Sequence, residues 1–264
     1  MILPRRALLA APALVAGRAA AQGAAVDLLL VLAVDASGSI DVDEFALQRD
    51  GLAEAIAHPA VLSAIRSRPL GAIGVAMVEW GSPGGAATVV DWMRVADAEG
   101  ARAAGAAMRD APRSRQSYNA IGDAILHATA LIAAAPWAAE ARTIDLSGDG
   151  PDIRSLVPAA EARDLAVAQG IVVNALAIEA SSAWSGGRLE AAYRRDVIGG
   201  AGAFVMVAED RRDFARALRA KLVRELALHP AAAGAAHAAG IPAPAADSTA
   251  LAAPSQPRAI PPRS

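Results

Sequence analysis

A nearly continuous apolar run from Val26 to Val34 limits most strongly how this chain can fold. Strands that are buried on both faces have such sequences, and they occur mainly in parallel sheets that helices cover on both sides. Short β-rich runs then alternate with helical patterns as far as residue 228, which is typical of an α/β fold. We therefore predict a doubly wound, mostly parallel six-stranded sheet with helices on both faces.

The alternation also predicts where the elements lie. Strands are expected at Val26–Val34, Ala72–Trp80, Thr88–Met93, Arg142–Leu146, Val172–Ile178 and Ala203–Val207. Helices are expected at Asp43–Ala57, Asp97–Arg109, Ala120–Ala134, Val157–Gln169, Leu189–Ile198 and Arg211–Leu226. The third strand follows the second after a glycine-rich turn and without a helix, so we expect it to be an antiparallel edge strand.

The two ends of the chain differ in composition from its middle. Residues 1–22 combine Arg5 and Arg6 with an apolar run of about ten residues and small residues at a cleavage point, which is the layout of a signal peptide. A spanning helix needs roughly 20 apolar residues, so we expect no stable membrane span after signal removal. Residues 229–264 hold seven of the 16 prolines and are predicted to be a disordered Pro/Ala-rich tail. We expect a periplasmic or secreted protein, with twin-arginine export as one route, and a folded domain over residues 23–228.

The predicted domain is acidic and lacks cysteine. Residues 23–228 carry 20 basic and 26 acidic side chains, a net charge of −6. Phosphate backbones attract clustered positive charge, so nucleic acid is not an expected partner. Without cysteine the chain has no disulfide, no cysteine metal site and no cysteine nucleophile.

Polar loops follow two of the predicted strands. One loop runs from Asp35 to Ser39 and the other from Ser147 to Asp152. Ligands of open α/β sheets bind beyond the carboxyl ends of the strands, and oxygen ligands without His or Cys suit Mg²⁺, Mn²⁺ or Ca²⁺. These loops predict a metal site. The alternative is that Asp35 and Ser37 only cap the helix that follows them.

The same loops carry a resemblance to a known family. Asp35-x-Ser37-x-Ser39 after an apolar strand, with Asp149-Gly150 after a central strand, resembles the metal-ion-dependent adhesion site of von Willebrand factor A domains. Segments 193–204 and 213–225 resemble an uncharacterised bacterial family related to those domains, domain of unknown function 1194. The resemblance covers about residues 26–227 and implies a von Willebrand A or Rossmann-like fold.

The resemblance also implies a set of metal ligands. Ser37 and Ser39 would ligate the metal directly, while Asp35 and Asp149 would act directly or through water. The family pattern has a threonine before the third helix, where this chain has Asn119. An asparagine carbonyl ligates hard cations, so the site is retuned or weakened instead of lost, and Ser117 is a substitute if the loop shifts.

The implied function is binding, with a divalent cation as the cofactor. Mg²⁺ fits best and Mn²⁺ or Ca²⁺ are alternatives. An acidic residue of an unknown protein partner would complete the metal's coordination shell. Trp184, on a loop after a strand, and Ser117 are candidate partner contacts.

Two other functions stay open at this point. A metal-assisted phosphohydrolase would use Asp35, Asp149 and Asp152, and a metal-independent scaffold would use no metal at all. A serine hydrolase is not expected, because no serine stands in a Gly-x-Ser-x-Gly elbow and none of the four histidines is placed as a base. Because no catalytic constellation with a base is found, the chain is expected not to be an enzyme, with the phosphohydrolase as the alternative. Trp80 and Trp92 are expected to be core residues.

Overall fold

A mixed six-stranded sheet forms the centre of the molecule. The computed structural model describes residues 25–179, 186–210 and 212–228. The strands are β1 (Val26–Asp35), β2 (Ile73–Trp80), β3 (Ala87–Val95), β4 (Ala139–Gly148), β5 (Val172–Ile178) and β6 (Val205–Ala208). Their order is β3-β2-β1-β4-β5-β6, and only the β2–β3 pair among them is antiparallel. The predicted fold class and its antiparallel edge strand are confirmed.

Helices cover both faces of this sheet. They are α1 (Val42–Ala57), α2 (Pro59–Arg66), α3 (Ala98–Asp110), α4 (Ile121–Ala133), α5 (Ala159–Ala168), α6 (Arg188–Asp196) and α7 (Phe214–Leu228). Helix α2 was not predicted, because a helix had just ended and Pro59 suggested a break. The proline instead occupies the first turn, where helices tolerate it, and the ring nitrogen Nδ1 of His58 accepts a 3.1 Å hydrogen bond from the amide of Ala60.

The central strand β1 explains why helices are needed on both sides. All ten of its residues are buried, and its side chains alternate between two apolar clusters. Leu28, Leu30 and Leu32 pack with α1, α2, α3 and α7, while Leu29 and Val31 pack with α4, α5 and α6. Each such side chain stabilises the fold by about 1.5–3 kcal/mol when it is fully buried.

The strand order reverses at the centre of the sheet, between β1 and β4. The chain leaves β1 towards β2 on one side and leaves β4 towards β5 on the other. The carboxyl ends of β1 and β4 therefore flank the point where the strand order reverses, which is where open α/β sheets bind ligands. Both polar loops of the sequence begin here, since β1 ends at Asp35 and β4 ends at Gly148.

A charged cluster lies inside the fold, between the sheet and α7. Lys221 Nζ lies 2.5 Å from Asp145 Oδ1 and donates a 2.6 Å hydrogen bond to Glu225 Oε1, and all three side chains are buried. Asn174 Nδ2 also donates to Glu225 Oε1, at 2.8 Å. Burial, followed by the neighbouring charge of Glu225, raises the pKa of Asp145 to about 7.

Across the described part of the chain, no helix is both long and apolar enough to cross a membrane.

Candidate metal centre at the carboxyl ends of the strands

The loop after β1 folds back on its own first residue. Asp35 Oδ1 accepts a 2.8 Å hydrogen bond from the amide of Ser37, and the Asp35 carbonyl accepts one of 2.8 Å from Gln48 Nε2. The hydroxyl oxygens of Ser37 and Ser39 lie 3.1 Å apart, so both face the same space. Three oxygen-bearing side chains are thus gathered within five residues.

Helix capping does not account for Asp35 and Ser37. The N-cap of α1 is Asp41, whose carboxylate accepts a 2.8 Å hydrogen bond from the amide of Glu44. The Glu44 carboxylate in turn accepts from the Asp41 amide at 3.2 Å, which completes a capping box. The alternative interpretation of Asp35 and Ser37 as caps is therefore wrong.

A second loop, residues 111–120 between α3 and α4, lies against the first. The amide of Gly38 donates to the carbonyl of Ser117 at 3.3 Å. Arg113 Nη2 donates to the carbonyls of Ile40 at 2.8 Å and of Ser37 at 3.3 Å. Sequence reasoning missed Arg113, because an arginine in a loop carries no signal for the carbonyls that it will reach across the fold.

A buried ion pair holds the start of this second loop. Glu79, near the end of β2, accepts a 2.5 Å hydrogen bond from Arg49 of α1 and a 2.6 Å bond from the amide of Ser114. Arg49 also donates to the carbonyl of Met108 at 2.5 Å. Helix α1, strand β2 and the loop that carries Ser117 and Asn119 are thereby fixed relative to one another.

Asn119 lies against the third loop, which follows β4. Its backbone carbonyl accepts a 2.7 Å hydrogen bond from Ile153, and the two residues form an isolated antiparallel bridge. A Cβ atom added to Gly150 would clash with Asn119 Nδ2, so the Asn119 side chain lies directly against the backbone of Gly150. Asn119 Oδ1 is buried and has no hydrogen-bond partner among the described residues. A buried carbonyl oxygen without a partner is costly, and a hard cation is a ligand that would satisfy it.

Tyr193 of α6 is hydrogen-bonded to the same loop after β4. Its buried hydroxyl donates a 2.9 Å hydrogen bond to the carbonyl of Gly150. Burial, followed by the negative charges of Asp35, Asp149 and Asp152, raises the pKa of this hydroxyl well above its usual value. The three carboxylates are therefore close enough to act on one point, and a cation nearby would offset their charge.

Asp152 has a structural role at the start of two helices. Its Oδ1 accepts from the amide of Ile121 at 2.9 Å and from the hydroxyl of Ser155, and its Oδ2 accepts from the amide of Ala159 at 3.0 Å. Asp123 acts similarly, since it accepts from the amides of Gly84 at 2.8 Å and Leu156 at 3.0 Å. A carboxylate with both oxygens engaged in this way is a poor choice for a catalytic group, so the structure does not favour the phosphohydrolase.

The donors that the sequence predicts are all oxygen atoms, the type that hard cations prefer. No group of three or more His, Cys, Asp or Glu side chains that would hold a metal occurs in the described ranges. The predicted ligands are instead two carboxylates, Asp35 and Asp149, the hydroxyls of Ser37 and Ser39 and the amide of Asn119, on loops linked by backbone hydrogen bonds. The residues fit a divalent cation that prefers oxygen, such as Mg²⁺.

The remaining predicted residues have varied positions. Ser117 is exposed beside Asn119, whereas Trp184 falls in residues 180–185, outside the described residues. Trp80 is fully buried, and Trp92 is half-buried against the same apolar cluster. His127 lies in α4, 2.9 Å from the hydroxyl of Thr88, and burial lowers its pKa.

Solved structures share this fold at low sequence identity. A von Willebrand factor type A structure from Catenulispora acidiphila is 20% identical over 76% of the chain, with a TM-score of 0.51. The pilus adhesin SpaC from Lactobacillus rhamnosus GG is 15% identical over 78% of the chain, with a TM-score of 0.55. Proximal thread matrix protein 1 from the mussel byssus, with a zinc-occupied MIDAS motif, is 15% identical over 77%, with a TM-score of 0.54.

The chain spans 43% of the Catenulispora structure, 31% of SpaC and 48% of the mussel protein. No curated protein sequence matches it significantly. A family model, "Protein of unknown function (DUF1194)", matches residues 25–230, which is most of the chain. The chain therefore belongs to the DUF1194 family, and its fold is that of a von Willebrand factor A domain.

Proposed function

We propose that this protein is an exported binding module that captures a protein partner through a divalent cation held by Asp35, Ser37, Ser39, Asn119 and Asp149. The observation that carries the proposal is the buried Asn119 Oδ1, which has no hydrogen-bond partner within the described residues. Asn119 belongs to a loop whose backbone is bonded to both strand-end loops. Mg²⁺ suits this set of oxygen donors best, with Mn²⁺ or Ca²⁺ as alternatives. The zinc-occupied motif of the mussel protein supports a divalent cation in this fold.

The chain's own residues fix the geometry of this site. Asp35 orients the backbone of Ser37 through their 2.8 Å hydrogen bond, and Arg113 holds the carbonyls of Ser37 and Ile40. When bound, the cation would supply an open coordination position that a carboxylate of the partner fills. Binding would then require both the metal and an acidic residue of the partner.

Metal titration of the full-length chain tests the first half of this proposal. We expect saturable Mn²⁺ and Mg²⁺ binding by isothermal titration, lost in Asp35→Ala. Asp43→Ala is the matched control, because Asp43 is an exposed carboxylate in the first turn of α1 and is not one of the proposed ligands. Equal metal affinity in the parent and in Asp35→Ala would refute the site.

Partner capture tests the second half. In the presence of Mn²⁺, the immobilised chain should retain a protein from the exported fraction of its own cells, and EDTA should release that protein. The immobilised Asp35→Ala variant should not retain it. Capture that survives both EDTA and Asp35→Ala would support the metal-independent scaffold instead. Turnover of a generic phosphoester in Mg²⁺, lost in Asp35→Ala, would support the phosphohydrolase.

Export rests on the composition of residues 1–22 and is a separate part of the proposal. We expect the mature chain in the periplasm or outside the cell, with a new N-terminus near residue 23. Cell fractionation and N-terminal sequencing measure this directly. Full-length protein confined to the cytoplasm would contradict it.

A further inference from the structure

Lys221 is a lysine in a chain that otherwise uses arginine. The other 24 of its 25 basic side chains are arginines, and Lys221 is the one that is fully buried between the sheet and α7. An arginine also pairs with buried carboxylates, so charge alone does not require a lysine here. A lysine amine differs from a guanidinium because it gives up its proton and then acts as a nucleophile. The position of this lysine suits a role that needs a reactive amine.

The amine lies very close to one carboxyl group. Lys221 Nζ is 2.5 Å from Asp145 Oδ1, closer than the roughly 2.7–2.9 Å that is typical of charged hydrogen bonds. Because Cγ is bonded to Oδ1 at about 1.2 Å, it lies within about 3.7 Å of Nζ. This limit includes the separation of about 3–3.5 Å from which well-oriented atoms react. Strand β4 and helix α7 therefore hold a nucleophile against a carboxyl carbon.

A second carboxyl group contacts the same amine. Glu225 Oε1 accepts a 2.6 Å hydrogen bond from Nζ, one turn along α7. Asn174 Nδ2 donates to that oxygen at 2.8 Å, and Asn174 Oδ1 accepts from the amide of Phe204 at 3.0 Å. Asn174 thus positions Glu225. A carboxylate held within hydrogen-bond reach of a nucleophile has the geometry of a general base.

The surroundings favour a neutral pair. Asp145, Lys221 and Glu225 are at most 2% exposed, and the centroid of the Phe204 ring is 5.5 Å from Nζ. Burial, followed by the charge of Glu225, raises the pKa of Asp145 to about 7, so this carboxyl group takes up a proton near neutral pH. A protonated carboxyl group is attacked by an amine more readily than a carboxylate. Exclusion of water also protects an amide that forms there from hydrolysis.

We propose that Lys221 and Asp145 form an intramolecular amide bond in the folded chain, with Glu225 as the catalytic carboxylate. After a proton has passed from Nζ to Asp145, Nζ attacks Cγ and Glu225 Oε1 takes a second proton from Nζ. Glu225 returns this proton to the hydroxyl group that leaves Cγ as water. One C–N bond replaces one C–O bond, one water is released per chain, and no oxidant or reductant is consumed.

The bond cross-links two elements that are far apart in the sequence. It joins α7 to β4 across 76 positions, in a chain that has no cysteine for a disulfide. A cross-link of this kind restricts the unfolded chain as a disulfide does. Before the bond forms, the three side chains are a charged cluster. In the linked chain Lys221 has no free amine and Asp145 has no proton to lose. The inference is independent of the metal centre.

Peptide mapping of the full-length chain tests the bond. The purified chain is unfolded and digested with trypsin, which cleaves after arginine and after unmodified lysine. Asp145 then lies in fragment 143–154, and an uncleaved Lys221 lies in fragment 220–224. We expect one branched peptide with a mass about 18 Da below the sum of these two fragments, because one water is lost. Tandem mass spectrometry locates the link.

Three results would overturn the proposal. Cleavage after Lys221, together with an unmodified fragment 143–154, would show that both side chains are free. Loss of water from an unbranched fragment 143–154 would assign the loss to cyclisation at Asp149-Gly150. A branched peptide that joins 220–224 to the fragment with Asn174, with about 17 Da lost as ammonia, would place the bond at Asn174.

Variants assign the reaction to the cluster. Lys221→Arg keeps the charge but has no amine to acylate, so no branched peptide should form. Glu225→Gln removes the base, and its linked fraction should be at least about tenfold below that of the parent at equal times after synthesis. Glu54→Gln is the matched control, because Glu54 is an exposed carboxylate of α1 that lies 3.6 Å from Arg219 of α7, and it should link as fully as the parent.

Thermal unfolding gives a second measurement. The linked parent should unfold about 10 °C above folded Lys221→Arg, since the cross-link restricts the unfolded chain. Circular dichroism shows which variants fold, and mapping of the parent decides the bond even where a variant does not. Equal linked fractions in the parent and in folded Glu225→Gln would overturn the role of Glu225.

Discussion

Tyr193 donates a hydrogen bond from its buried hydroxyl to the carbonyl of Gly150, 2.9 Å away, and so ties α6 to the loop that carries Asp149. The same hydroxyl would lie 2.7 Å from a Cβ on Gly148, so the end of β4 passes close to it. The position of Asp149 therefore depends on a residue more than forty positions later in the chain.

Tyr193→Phe tests this support. The ring still fills its place, but the Gly150 carbonyl loses its donor, so we expect the free energy of unfolding to fall by about 1 kcal/mol. Mn²⁺ affinity should fall about tenfold, because groups that orient ligands have effects of this size. Urea unfolding and isothermal titration measure the two quantities.

Thr129→Val is the control for that variant. Thr129 is buried in α4, and its hydroxyl donates to the carbonyl of Ile125 at 2.8 Å, away from the metal centre. It should lose stability without losing Mn²⁺ affinity. If Tyr193→Phe behaves in the same way, the tyrosine only stabilises the fold.

Arg113→Met should weaken metal binding. The methionine cannot donate to the carbonyls of Ser37 and Ile40, so the loop with Ser37 and Ser39 is held less firmly. We expect Mn²⁺ affinity to fall about tenfold in isothermal titration. Arg115→Met, an exposed arginine on the same loop, removes the same charge and serves as the control for long-range electrostatics. Equal losses in both variants would show that only charge matters.

The fold was largely predictable because its signals are local. The apolar run of β1 and the glycine-rich turn before β3 predict a buried strand and an antiparallel edge, and both are present. Helix α2 was missed, since Pro59 is equally compatible with a break and with a first helical turn. Strand β4 begins at Ala139, three residues before the predicted start at Arg142, because its first three residues are only partly buried and do not form an apolar run.

For the candidate centre, the sequence predicts ligands but not the residues that support their loops. Four of the predicted ligands lie at or just after the ends of β1 and β4, namely Asp35, Ser37, Ser39 and Asp149. In an open α/β sheet, loops at the carboxyl ends of neighbouring strands lie close together. The supporting residues Arg113 and Tyr193 had no signal, because their partners are distant in sequence and their contacts are with backbone carbonyls. The hydrogen bonds from Asp152 to the first turns of two helices could not be predicted either. An aspartate that follows a strand is equally compatible with a metal ligand and with a helix cap.

Stability should fall as pH rises from about 4 to about 7. The pKa of Asp145 is raised from 3.8 to about 7 in the folded protein, so the folded state holds a proton that the unfolded state releases. The stabilisation from this proton is complete below the unfolded pKa and is lost as the pH passes the folded pKa. Urea unfolding of the parent and of Asp145→Asn at several pH values isolates the effect. If the two proteins have the same pH dependence, the proton is held elsewhere.

Lys221→Met should destabilise the fold strongly, by about 3–5 kcal/mol at pH 8, because it leaves Asp145 and Glu225 buried without their cation. The loss should be smaller at pH 5, which is below the raised pKa of Asp145, because the protonated carboxyl of Asp145 no longer repels its neighbour. Arg216→Met, which breaks the exposed ion pair with Asp213, is the control and should change the unfolding free energy little. A similar loss in both variants, measured by urea unfolding, would contradict this account of the cluster.

The burial of Lys221 has a practical consequence for chemical labelling. It is the only lysine of the chain, and none of its surface is exposed. Amine-directed reagents should therefore leave the native fold unmodified except at the α-amino group of the first residue, wherever processing leaves it. Immobilisation through amines would attach every molecule by its N-terminus, in one orientation. In chains whose Lys221 amine is free, the rate at which Lys221 becomes labelled would measure how often the core opens.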